Sequence, residues 1–213
     1  MTSTAWQNLV GALRAHFILG AVASAMALAV SACVTDVSLV ESANSVPLNQ
    51  MQSDSCEPLH GFARIKAKSA CIAYKAYAPS GADKAEILVL YHHGDGGDRI
   101  GHYVTASRLV DAAVHLGLQN IAAAVVHRIG YGRSSGPPFD RGYPDWVVDE
   151  MAASVPALKA KFGASLAIWV GTSGGAMIGG IIAGKHPGVV DEFVLVAGHF
   201  NIPQWRRVRD GGT

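Results

Sequence analysis

One short stretch limits what this chain can become. Trp169-Val170-Gly171-Thr172-Ser173-Gly174-Gly175-Ala176 sets a serine among glycines. The apolar run Leu166 to Val170 leads in, and the small-residue segment Gly174 to His186 leads out at helix length. G-x-S-x-G at a strand-to-helix junction is the form of a nucleophile elbow. A serine hydroxyl is a weak nucleophile unless it is exposed, held and relieved of its proton by a neighbouring base. A sharp turn between a buried strand and a helix holds it out. Flanking glycines let other backbone pass without a Cβ in the way. The N–H of Gly174, at the helix start, is placed to face a developing oxyanion.

A second stretch reads the same way. Glu86 to His92 is a continuous apolar strand of the kind buried on both faces, and it runs into His93-Gly94-Asp95-Gly96-Gly97. A glycine-rich loop at the carboxyl end of a central strand lies where ligands bind in open α/β sheets, with backbone N–H groups free to meet an anion. It is neither a Walker loop, since no G-x-x-x-x-G-K-[ST] is present, nor a G-x-G-x-x-G dinucleotide site.

The remaining periodicities supply the frame. Gly61 to Lys68 and Cys71 to Ala78 predict two short strands in a hairpin. Tyr103 to Leu116 predicts a helix with Tyr103, Ala106, Val110 and Ala113 on one face and Gly117 as its stop. Asn120 to Val126 predicts another strand, followed by His127-Arg128-Ile129-Gly130-Tyr131-Gly132-Arg133-Ser134 and a Pro/Gly loop. Trp146 to Phe162 predicts an amphipathic helix with Val147, Met151, Val155, Leu158 and Phe162 inward, kinked at Pro156. Phe193 to Ala197 predicts a further buried strand. Strands alternating with helices imply an α/β, doubly wound, mainly parallel sheet, which suits the 24 glycines and 50% apolar content of the 213-residue chain. Net charge is +1 with no basic stripe, so nucleic acid is not an expected partner.

The first 32 residues read as a targeting segment of the lipoprotein type. Phe17 to Val30 is uncharged and apolar, Arg14 precedes it, and Val30-Ser31-Ala32-Cys33 resembles a bacterial lipobox. That resemblance implies cleavage before Cys33, lipidation of its thiol, export, and anchoring to a membrane facing the periplasm or cell exterior. Residues 33–55 are polar and aperiodic and read as a tether. Cys56 and Cys71 remain, and export favours their pairing over two buried thiols.

Three motifs in one order now carry a resemblance to the α/β-hydrolase family over about Gly61 to Asp210. They are the strand-H-G loop at His93-Gly94-Asp95, the R-x-G-Y-G-R-S loop from Arg128 to Ser134, and the elbow from Gly171 to Gly175. The resemblance makes Ser173 the nucleophile and the backbone N–H groups of Asp95 and Gly174 the oxyanion hole. It implies a serine hydrolase for an ester or related acyl substrate, needing no cofactor, and the cysteines and histidines lack metal-ligand spacing. The family orders its triad Ser, Asp/Glu, His, with the acid and base beyond later strands. Here one clear strand follows Ser173. Residues 56–213 are therefore expected to be a hydrolase domain lacking its last strands, a truncated and inactive form. His199, after the last strand, is the best base candidate within the chain, and Asp210, close to the terminus, is a weaker one. His92 and His93 are read as loop structure, His127 as a packing or hydrogen-bonding residue, and His186 as a helix-end residue.

Two competing expectations stand beside this one. A catalytically dead hydrolase-like lipoprotein would keep the fold without the chemistry. A membrane protein would span at 162–184, where no charge falls between Lys161 and Lys185. The glycines of that stretch make it a poor single helix.

Overall fold

The computed structural model describes residues 56–80, 82, 84–97, 100–137 and 143–198. The expected signal segment, tether, Cys33, His199 and Asp210 lie outside the described residues. Among the described residues six strands form one sheet: β1 (Ala63–Lys66), β2 (Cys71–Tyr77), β3 (Ile87–His92), β4 (Ile121–Val126), β5 (Leu166–Thr172) and β6 (Glu192–Val196). Their spatial order is β1-β2-β4-β3-β5-β6. The hairpin β1–β2 and the β2–β4 pair are antiparallel, while β4, β3, β5 and β6 run parallel. The mainly parallel sheet and the hairpin are both as the sequence predicts, with ends moved by a residue or two.

Three helices among the described residues cover the two faces. α1 (Ile100–His115) packs Ala106, Leu109, Val110 and Ala113 against the side of the sheet bearing Val89, Ala123 and Ile168. α2 (Asp145–Phe162) and α3 (Gly174–Lys185) pack on the opposite side, over Leu88, Leu90, Ala124 and Trp169. Val147, Met151, Val155 and Leu158 of α2 are all fully buried there, and Phe162 packs at the margin. The helix runs on through Pro156 and ends where Gly163 takes the left-handed conformation and caps the carbonyls of Ala160 and Lys159. Central strands β3 and β4 are buried at every residue, the mark of a sheet covered on both faces.

The expected membrane span is overturned. Residues 162–184 fold as the end of α2, the strand β5, a turn and the helix α3. No helix among the described residues is long and apolar enough to cross a membrane. The apolar content of the stretch comes from a strand and a helix buried back to back, and the glycines between them make the turn.

The hairpin is tied down at three points. Cys56 and Cys71 are joined, their Cα atoms 5.4 Å apart. Cys71 N–H donates to Ser135 Oγ, and Ala73 N–H to Ser134 Oγ. Glu150, on α2, accepts from the backbone N–H groups of Lys68, Ser69 and Ala70 and from the Ser69 hydroxyl.

Candidate active site

The elbow is built by close backbone contacts. Ser173 sits between β5 and α3 with φ 51° and ψ −112°, a conformation that L-residues adopt only when surrounding structure enforces it. Its N–H donates to Val196 O of the neighbouring strand at 2.8 Å, and its carbonyl accepts from Met177 N–H at 3.0 Å. The two motif glycines are steric necessities. A Cβ on Gly171 would collide with the backbone of Gly175, and one on Gly175 would collide with the carbonyl of His92. β3 thus presses directly against the start of α3, which brings the loop after β3 to the nucleophile. A Cβ on Gly94 would lie 3.0 Å from Ser173 Cβ and 3.5 Å from its Oγ. Gly174 N–H belongs to the first turn of α3, where backbone donors have no intrahelical partner. The sheet therefore brings Ser173, Gly174 and the Gly94–Asp95 loop together.

The R-x-G-Y-G-R-S loop is a scaffold around two histidines. His127 Nδ1 accepts from Arg133 N–H at 3.0 Å, which leaves Nε2 to donate to Tyr103 Oη at 2.7 Å. Gly132, at φ 56°, comes so close to His127 that any Cβ would strike the ring. His93 Nε2 accepts from Arg128 N–H at 3.2 Å, so its Nδ1–H donates to Gly94 O at 2.7 Å. Ser134 Oγ donates to His127 O while accepting from β2. These contacts bear out the reading of His127 and His93 as structural residues.

His92 is also structural, in an unexpected way. It is wholly buried and stacks on the Trp169 indole, centroids 3.4 Å apart and planes 9° from parallel. Neither ring nitrogen has a hydrogen-bond partner among the described residues. Burial, aided by the positive charge of Arg128 and by His93, holds its pKa well below the usual imidazole value, so it is neutral.

The sequence reading missed a charged cluster beside the elbow. The guanidinium of Arg128, wholly buried, pairs through Nη1 with Asp95 Oδ1 at 3.0 Å. It also lies over the Tyr131 ring, 4.4 Å from the centroid. Tyr143 Oη donates to Asp95 Oδ2 at 3.1 Å, and burial together with the Asp95 charge pushes that phenol up to about 12. A Cβ on Gly174 would collide with both Asp95 Oδ1 and Arg128 Nη1. Arg128 and Asp95 both fall in motifs of the sequence, but nothing local pairs them; Gly174, where the elbow pattern admits any residue, is the steric trace of their meeting.

His186 Nε2–H donates to Asp149 Oδ1 of α2 at 2.9 Å, as befits a helix-end residue. No hydrogen bond from a described histidine reaches Ser173 Oγ. No group of His, Cys, Asp and Glu among the described residues could hold a metal ion.

A family model for the alpha/beta hydrolase fold matches residues 87–212, more than half of the sequence. The chain belongs to the α/β-hydrolase family. Among solved structures it is similar to proline iminopeptidase of Mycobacterium smegmatis, at 15% identity and TM-score 0.52, over 70% of this chain and 48% of that one. It is similar to Est1E of Butyrivibrio proteoclasticus, solved with ferulic acid, at 17% identity and TM-score 0.52, over 68% of this chain and 56% of that one. A thermophilic esterase of Thermogutta terrifontis aligns at 17% identity and TM-score 0.51, over 70% of this chain and 50% of that one. The chain thus spans about half the length of these structures. No curated protein matches the sequence.

Proposed function

We propose that the protein is a serine hydrolase for carboxylic esters or related acyl compounds, with Ser173 as nucleophile. The observation that carries this reading is the enforced backbone of Ser173, which presents its side chain beside Gly94 at the carboxyl end of the parallel strands. Ser173 Oγ attacks the acyl carbon, and the carbonyl oxygen takes up the electron pair as an oxyanion. The N–H groups of Asp95 and Gly174 receive that charge. Expulsion of the alcohol leaves an acyl-serine, which water then hydrolyses. The base that takes the Oγ proton and the acid that orients it come from outside the described residues, and His199 is the first base to test. Esterase, peptidase and thioesterase chemistry share this constellation.

The test is covalent. A fluorophosphonate probe should label the full chain at Ser173, and Ser173→Ala should lose both label and p-nitrophenyl ester turnover while melting at the wild-type temperature. Turnover that survives in Ser173→Ala would sink the assignment. A wild-type protein that folds and takes no label is the outcome expected of a catalytically dead hydrolase-like protein.

We also propose that Cys33 is lipidated and holds the exported protein at a membrane. The support is the run Phe17 to Val30 and the sequence Val30-Ser31-Ala32-Cys33. Mass spectrometry of the mature N-terminus would find diacylglycerol on Cys33; any other mature N-terminus overturns it.

A further inference from the structure

The peptide unit between Gly94 and Asp95 is held from its carbonyl side. Gly94 O accepts from His93 Nδ1 at 2.7 Å, from Gly97 N–H at 3.2 Å and from Arg128 Nη2 at 3.3 Å. A trans peptide is planar, and its C=O and N–H point in opposite directions. Fixing the Gly94 carbonyl therefore fixes the direction of the Asp95 N–H. Arg128 does this with one arm of its fork, while the other grips the Asp95 carboxylate at 3.0 Å.

The asymmetry of this pair is informative. The Arg128 side chain is 0% exposed and the Asp95 side chain 60% exposed. A wholly buried guanidinium is costly unless its charge is paired, and the partners on hand, the Asp95 carboxylate and Gly94 O, both belong to this loop. Nη1 also lies against Gly174, the second residue of the proposed oxyanion hole. A buried positive charge close to both residues favours an anion held between them.

We propose that Arg128 is the positioning residue of the oxyanion hole. Its fork clasps Gly94 O and Asp95 Oδ1 together, sets the plane of the Gly94–Asp95 peptide, and so aims the Asp95 N–H at the oxyanion. Asp95 serves twice, by its main chain as donor and by its side chain as the latch for Arg128. The inference rests on the hydrolase reading, because the oxyanion is the one that Ser173 creates.

The experiment separates the two. Arg128→Lys keeps the charge but offers one nitrogen in place of two fixed ones, so it cannot hold both acceptors in the fork's geometry. In the free protein, hydrogen exchange of the Gly97 amide, which is bonded to the clamped Gly94 carbonyl, should quicken at least about tenfold in Arg128→Lys, with the amides of β3 and β5 unchanged. Phosphonylation of Ser173 should slow by about a hundredfold, with the probe's binding constant held within about twofold, the effect of a misaimed catalytic group. Where Arg128→Lys does not fold, Asp95→Asn, isosteric and on an exposed side chain, is read in the same way. Unchanged Gly97 exchange in a folded variant overturns the clamp whatever Ser173 does. Wild-type protein that takes no label overturns the hydrolase reading, while the exchange measurement still reports on the clamp.

Discussion

At the scale of the residue, His92 is the clearest case of a side chain whose environment decides its chemistry. It is stacked on Trp169, and burial keeps it neutral in the folded protein. Its folded pKa lies below the unfolded value of about 6.5, so the unfolded chain binds the proton more readily. The stability it confers is complete above that value and is lost as pH falls through and below it. Melting curves should therefore show wild-type protein losing stability between about pH 6.5 and 5, and His92→Phe, which keeps the stack, losing less. Parallel slopes for the two proteins would refute this account. Gly132 poses a steric question instead. A methyl group there must displace the His127 ring and accept φ 56°. Gly132→Ala should cost about 2 kcal/mol or more, read from denaturant midpoints, because both mechanisms act at once.

At the scale of the element, the hairpin β1–β2 shows how far sequence reading reaches. Its strands were legible in the alternation of Gly61 to Ala78, and Cys56 with Cys71 could be named as a pair. Its tether to α2 was not legible. Glu150 lies 80 to 82 positions from the three amides it binds, and nothing local marks it. On an amphipathic helix a lone Glu reads as surface, yet this one is buried. Burial would raise its pKa, but the Ser69 hydroxyl and the amides of Ala70, Ser69 and Lys68 outweigh that and lower it. Its contribution is thus present above the ordinary carboxylate range and is lost as pH falls through the depressed value, a window below that of His92. Glu150→Gln turns an N–H toward donors and should cost about 2 kcal/mol. Reducing the Cys56–Cys71 bond should cost about 3 kcal/mol for a loop of this length. Both changes free the same hairpin, so a double-mutant cycle should show the pair costing less than their sum.

At the scale of the whole molecule, the three motifs predicted the frame correctly because each is a local solution to a packing problem. The elbow glycines, the loop after β3 and the G-Y-G turn all announce close backbone contacts in consecutive residues. The Asp95–Arg128 clasp and the His92–Trp169 stack join distant stretches, and only the assembled sheet reveals them. The same assembly explains why 162–184 looks like a membrane span in one dimension and is two elements in three. It also hands the nucleophile to the edge of the sheet. Among the described residues β6 has β5 as its one strand neighbour, and Val194 and Val196 are exposed upon it. The Ser173 N–H hangs on the carbonyl of Val196. The torsion stored at the elbow is therefore moored to the least enclosed strand, like a spring hooked to the outermost plank of a deck. Whatever clasps β6 tightens the spring, and whatever peels it away lets the serine relax into an ordinary, unreactive turn. Under rising urea, labelling of Ser173 should fade before the tryptophan fluorescence of the buried sheet changes.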